Sequence, residues 1–342
     1  MKENPYTLMP VSGEAFVGRK DLLEELLEGA SRHLLIGTPR IGKTSILKQV
    51  QYLADQRHQP AFYLSLEGVV NSKELQTSVY RHLRREKFKW FDFERLGFDP
   101  RSFERDDFFD ALFDLDEKLD GQPLFLLFDE AQVLVEIGQQ APAFLQKWRG
   151  ALASFRSLKT IFAAFPRILL VDELSSETSP FTSGLPIEYL SVFTASEAEE
   201  FVRRPGIKIQ SAQMAEILEC TGRHPFFLQI LCGALYSNGT LAKLTPEKFC
   251  AAYNSVPLHG ILLHAFNTLS DEEKAVMQAV HQKDTASLRM LRSEFPTLRS
   301  LESILDRCVS YGYLKKVNGG YKIINAFWSK WLEEEMLEPV AA

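Results

Sequence analysis

The apolar positions of the chain fall into two kinds of pattern. Over the first 195 positions, short continuous apolar runs recur near 33–36, 61–66, 124–129, 160–164 and 187–193. Each has the length and bounding residues of a buried strand. Between them, apolar residues repeat at helical spacing over 20–29, 44–56, 72–86, 106–119 and 142–155. In the last of these, Phe144, Leu145, Trp148, Leu152 and Phe155 line one face. Buried strands joined by helices predict an α/β fold with a five-stranded parallel sheet and helices on both faces.

After about residue 195 the strand runs stop. Ser196–Arg203 reads as a capped helix start, followed by helices near 211–221, 225–237 and 246–253. A third pattern begins near 256. Ser270-Asp271-Glu272-Glu273 has the acidic first turn of a helix N-terminus. Helices near 271–281, 286–292 and 299–311 follow. Two strands, 313–317 and 321–324, flank Asn318-Gly319-Gly320, and a last helix covers 326–336. Three helices and a hairpin predict a winged helix. The expected domains are 1–194 with an N-terminal arm, a helical domain at 195–255, and a winged-helix domain at 256–342.

One segment adds chemistry to this pattern. Gly37-Thr38-Pro39-Arg40-Ile41-Gly42-Lys43-Thr44 follows the first strand and opens a helix, matching G-x-x-x-x-G-K-[ST] in full. The glycines let amide N–H groups turn toward phosphate oxygens, and the helix N-terminus favours an anion there. Gly37 through Ser45 therefore form the candidate phosphate cradle. Lys43 is placed to pair with the β- and γ-phosphates, and Thr44 to bind Mg²⁺. The third strand ends in Phe128-Asp129-Glu130, at the edge where parallel sheets bind ligands. Asp129 is a candidate Mg²⁺ residue, and Glu130 a candidate for polarising the attacking water. Gln132 reads either as a water- or partner-orienting group or as a plain helix-start residue. Arg167, the one Lys or Arg between Thr160 and Pro186, is a candidate for stabilising phosphoryl charge, in its own subunit or a neighbour, or else a solvated loop arginine.

Four landmarks carry a family resemblance: Phe16-Val17-Gly18-Arg19, Gly37–Thr44, Asp129-Glu130-Ala131-Gln132 and Gly222-Arg223-His224-Pro225. Together the chain resembles prokaryotic STAND-type and archaeal-type P-loop ATPases of the AAA+ superclass with a C-terminal winged helix. The resemblance implies an ASCE/AAA+-type sheet, a helical lid and the cofactors ATP and Mg²⁺. It also implies that Tyr6, Val17, Gly18 and Arg19 lie near the base, and that Pro225 opens a lid helix touching the nucleotide. Where such proteins often carry a polar residue or arginine at the end of the fourth strand, this chain has Phe165.

Composition sets outer bounds. The 342 residues are 45% hydrophobic and 25% charged, with a formal net charge of −6. That balance suits a globular chain, and any nucleic-acid site has to be a local patch. The four cysteines show no metal-ligand spacing, and neither a signal peptide nor an apolar run of about 18 residues is present. The expectation is a cytoplasmic protein with no membrane association. Two functions remain. The first is an ATP-driven switch that controls self-assembly or a protein partner. The alternative is a DNA-binding or DNA-loading ATPase resembling replication initiators, with Lys315 and Lys316 near the wing. Residues 270–336 hold ten Lys/Arg and ten Asp/Glu, which does not favour DNA. A second patch, Arg81 to Trp90, interleaves basic and aromatic residues; it reads as a nucleic-acid surface or as a solvated helix face. A small-molecule kinase is disfavoured by the lid and winged-helix patterns.

Overall fold

A computed structural model describes residues 3–86, 88, 90–172, 181–204 and 206–337. The chain divides into two compact bodies. The first comprises Pro10–Gly37 and Lys43–Glu188; the second comprises Met1–Met9, Thr38–Gly42 and Tyr189–Ala342.

The first body is built on strands β1 (Arg32–Ile36), β2 (Ala61–Ser65), β3 (Leu124–Asp129), β4 (Leu158–Ala164) and β5 (Ile187–Tyr189). Their order is β2-β3-β4-β1-β5, and the β1–β4, β3–β4 and β2–β3 ladders are parallel. Every residue of β3 is buried. That is why its sequence is a continuous apolar run and not an alternating one. The register pairs Ser65 with Asp129 and Ile36 with Ala164. The carboxyl ends of β1, β3 and β4 therefore emerge along one edge, which brings Gly37, Asp129 and Phe165 to neighbouring strand ends.

Helices α1 (Lys20–Glu28), α2 (Lys43–Gln56), α3 (Ser72–Arg85), α4 (Phe93–Leu96), α5 (Ser102–Arg105), α6 (Phe108–Leu119), α7 (Leu134–Gln140) and α8 (Pro142–Ser154) complete this body. Trp148 on α8 is 1% exposed. Its indole meets the rings of Phe128 (5.5 Å), Phe162 (5.5 Å) and Phe108 (5.8 Å) edge-on. Phe128 and Phe162 stack across β3 and β4 at 5.3 Å. This aromatic pile holds α8 against the strands that carry the candidate site.

The second body contains α9 (Ala195–Arg203), α10 (Ser211–Thr221), α11 (Pro225–Leu235), the short pair β6 (Tyr236–Ser237) and β7 (Thr240–Leu241), and α12 (Pro246–Tyr253). It continues with α13 (Leu258–Asn267), α14 (Asp271–Gln282), α15 (Leu288–Glu294), α16 (Leu301–Ser310), the hairpin β8 (Leu314–Val317) and β9 (Gly320–Ile323), and α17 (Ala326–Leu337). α10 ends on left-handed Gly222 (φ +57°), where a Cβ would lie 2.8 Å from the Ile324 carbonyl. His224 then caps α11 by accepting from the Phe226 amide, with Pro225 at the first helical position. Phe327 of α17 stacks on Phe227 of α11 (4.7 Å) and also meets Phe249 and Tyr253 of α12.

Several details differ from the sequence expectations. The run at 187–193 is a strand only over Ile187–Tyr189; beyond it, the Phe193 amide donates to the Arg223 carbonyl in the second body. α4, α5, α7 and α13 fall outside the expected helices. Residues 3–9, expected with the sheet, group with the helices of the second body. There Asn4 Nδ2 donates to the Gly233 carbonyl, and the buried Tyr6 hydroxyl donates to the Val202 carbonyl at 2.6 Å.

Replacing Trp148 with Ala removes the largest ring of the pile and leaves a cavity. The Trp148→Ala variant is expected to lose about 3–5 kcal/mol in urea unfolding. A loss under about 1 kcal/mol would show that the pile does not hold the helix to the sheet.

Candidate nucleotide-binding site

The phosphate-loop residues make two kinds of contact. At the loop base, the Gly37 amide donates to the Ala164 carbonyl at 3.1 Å, which anchors the loop to the end of β4. Arg40 (φ +64°) and Gly42 (φ +106°) both take left-handed backbone. A non-glycine residue held there costs on the order of 1–3 kcal/mol, and such strain concentrates at ligand sites. In the second body, Thr38 Oγ1 donates to the Tyr311 carbonyl at 3.4 Å, and the Arg40 guanidinium lies over the Phe226 ring.

Lys43 opens α2 and is buried. Its Nζ donates to the Gly37 carbonyl at 2.7 Å and sits 4.0 Å from the centre of the Phe165 ring. Burial lowers its pKa to about 7, with Glu130 and Asp129 acting in the opposite sense. Burial thus favours the neutral amine, and a further anion beside it would favour the ammonium.

Asp129, 2% exposed, ends β3. Its Oδ2 accepts from Thr44 Oγ1 (2.6 Å) and from the Tyr63 hydroxyl (2.8 Å). Its Oδ1 accepts from the Glu130 amide at 3.0 Å. A buried carboxylate with three donors is fixed in orientation. Burial, then the Asp129 charge, push the Tyr63 phenol well above its ordinary range, so it stays a donor. Tyr63 was not among the sequence candidates. The continuous apolar run of β2 does not mark it; in the structure Phe62 and Leu64 are buried, whereas Tyr63 and Ser65 are half-buried on the other face.

Glu130 is left-handed (φ +57°, ψ +36°) and leads into a 3-10 turn at Ala131–Val133. Gln132 Nε2 donates to Glu130 Oε2 at 2.5 Å, and Gln132 Oε1 accepts from the Phe165 amide at 3.2 Å. The structure thereby brings together Lys43, Thr44, Asp129 and Glu130, and adds Tyr63, Gln132 and Phe165. Ser45 Oγ accepts from the Val11 amide at 3.2 Å, which ties the chain before α1 to α2. Val17, Gly18 and Arg19 form a turn with two successive left-handed residues, Gly18 (φ +79°) and Arg19 (φ +56°). Arg167 pairs with Glu136 on α7 at 3.1 Å, and both side chains are exposed. Tyr6 and Pro225 lie in the second body as described above. Among the described residues no cluster of His, Cys, Asp and Glu forms a separate metal centre.

The basic candidates are largely neutralised. Lys315 pairs with Glu219, Lys316 with Asp306 and Lys322 with Asp284. The exposed positions of α16 are Glu302, Ser303, Asp306 and Ser310. In the other patch, Phe88 packs edge-on to Phe62 and Trp90 against His58. Those rings are therefore engaged in the fold; Lys87 and Lys89 lie outside the described residues. No helix among the described residues is long and apolar enough to cross a membrane.

No family model matches the chain, and no curated protein matches it. Solved structures do. The Walker-type ATPase PABY2304 of Pyrococcus abyssi aligns over 96% of this chain and 99% of its own, with a TM-score of 0.68 and 17% identity. The ORC2 protein of Aeropyrum pernix, solved in ADPNP and ADP complexes, aligns over 92% of each chain, with a TM-score of 0.50 and 15% identity. The chain has the P-loop ATPase fold. At these identities the likeness is one of fold, and the chemistry is argued from the residues.

Nucleotide binding should be linked to a proton. At pH 8 the free protein holds Lys43 mostly neutral, and a polyphosphate favours the ammonium. Binding is therefore expected to take up about one proton at pH 8 and to weaken as pH rises further. Calorimetry in buffers of different ionisation enthalpy reads this directly; buffer-independent heats would contradict it.

Proposed function

We propose that the chain is an ATP-binding and ATP-hydrolysing conformational switch of the STAND or related AAA+ type, acting on its own assembly or on a protein partner. The observation that carries the reading is the convergence of Lys43, Thr44, Asp129 and Glu130 at the carboxyl edge of the parallel sheet. The residues present suit ATP and Mg²⁺: a buried lysine whose Nζ donates to the Gly37 carbonyl at the loop base, and a hydroxyl and a carboxylate already in contact. Lys43 would hold the phosphate tail, and Thr44 and Asp129 would hold the metal. When bound, the metal would neutralise charge on the phosphate oxygens.

The rest of the chemistry belongs to the chain. Lys43 exchanges the Gly37 carbonyl and the Phe165 face for phosphate oxygens, which gain more from a desolvated cation than a neutral carbonyl does. Tyr63 keeps the Asp129 carboxylate in place when Thr44 turns its hydroxyl oxygen outward. Glu130, one carboxylate oxygen engaged by Gln132, presents the other to a water and accepts its proton. Arg167 is held on Glu136 by an exposed ion pair worth about 0–1 kcal/mol, weak enough to release the guanidinium to a phosphate in cis or trans. The lid assignment of Pro225 and the base contacts of Tyr6, Val17, Gly18 and Arg19 belong to the same proposal. The DNA-loading alternative is weakened by the paired lysines of the hairpin and by the pairing of Arg292 with Glu302.

Lys43→Ala should lower ATP affinity by at least tenfold, measured by fluorescence or calorimetry. Glu130→Gln should bind ATP like the parent and lose at least 100-fold in turnover. Full turnover in Glu130→Gln would remove Glu130 from the chemistry. Duplex DNA at low salt should neither bind below micromolar concentration nor stimulate turnover.

A further inference from the structure

The segment after β3 holds a feature that the phosphate-loop chemistry does not require. Residues two apart on a helix point to different sides and do not meet. Glu130 and Gln132 nevertheless do, because Glu130 is left-handed and the next residues coil into a 3-10 turn. The bend folds the Gln132 side chain back over Glu130. It also brings the carboxamide to the end of β4, 33 positions along the chain.

The orientation of the carboxamide follows from its neighbours. The Phe165 amide can only donate, so it must face the oxygen, Oε1. The nitrogen, Nε2, then faces Glu130 Oε2 and donates to it at 2.5 Å. Both ends of the carboxamide are thus engaged by groups that accept no other orientation. One engages a backbone amide just past the end of β4, which does not move with side-chain rotamers. The other engages a half-buried carboxylate. Phe165, the residue on the backbone side, also carries the ring beneath Lys43 Nζ.

We propose that Gln132 is a positioning residue that holds the Glu130 carboxylate in register with the end of β4, leaving one oxygen directed for water activation. It acts through Glu130 and does not itself touch nucleotide. The inference rests on the proposed ATPase reading. A side chain one methylene shorter cannot span both partners. A glutamate has the right length and still accepts from the Phe165 amide, but offers no donor to Glu130.

The test compares Gln132→Ala, Gln132→Asn and Gln132→Glu in the full chain, with ATP and a non-hydrolysable analogue as probes. All three variants should bind the analogue within about threefold of the parent, and KM should hold. kcat should fall by about 10–100-fold in each, the range for removing one hydrogen bond to a charged group. In a Glu130→Gln background, Gln132→Ala should add no further loss, because the residue acts through the carboxylate. The proposal is overturned if Gln132→Glu turns over like the parent, which would leave only the tie to β4. It is overturned equally if the losses in the double variant multiply, or if the change lies in analogue binding. A parent protein that binds but never hydrolyses ATP would instead remove the ATPase reading, and this inference with it.

Discussion

The structure of the candidate site depends on one carboxylate being unable to turn. Asp129 receives Thr44 from the first turn of α2, Tyr63 from β2 and the amide of its own successor, Glu130. Those three bonds join the helix that follows the phosphate loop to two neighbouring strands. Because the carboxylate is almost fully buried, each donor lost would leave charge unsolvated, and low dielectric makes that costly. The left-handed bend at Glu130 starts from this fixed point, and so does the placement of every group beyond it.

Around that anchor, apolar packing shapes the site. The phosphate lysine rests on a phenyl ring, and the strand ends that hold it are set by stacked Phe128 and Phe162 under Trp148. Burial in this setting disfavours the ammonium, while Glu130 and Asp129 act in the opposite sense.

Much of this was legible in the amino-acid order. The four longer strand runs sit within two residues of their expected positions, and the loop motif announced Lys43 and Thr44, because its glycines and spacing are local demands of backbone geometry. The hairpin was legible for the same reason, with Gly319 at φ +95° at its tip. What was hidden is what depends on tertiary neighbours. Tyr63 looks like any ring in a strand until the register sets it opposite Leu127 and beside Asp129. Gln132 was visible only as a polar residue after a strand, since its contact with Glu130 needs a bend that no local pattern signals. The short helix α7 escaped because seven residues are too few for its buried face of Leu134, Val135, Ile137 and Gly138 to show a sustained helical period. The C-terminal region is balanced in charge, and in the fold that balance is pairwise, lysine by lysine.

The aromatic contacts of Phe327 reach further than packing. With one ring lying on Phe227 and also touching Phe249 and Tyr253, the last helix is spliced into α11 and α12, and the Tyr253 hydroxyl donates back to Glu334 of α17. Helices α11 and α12 and the last helix share apolar packing through these contacts. Calorimetry on heating would meet them as a single melting block, and local opening that frees one would have to expose the buried face of the other.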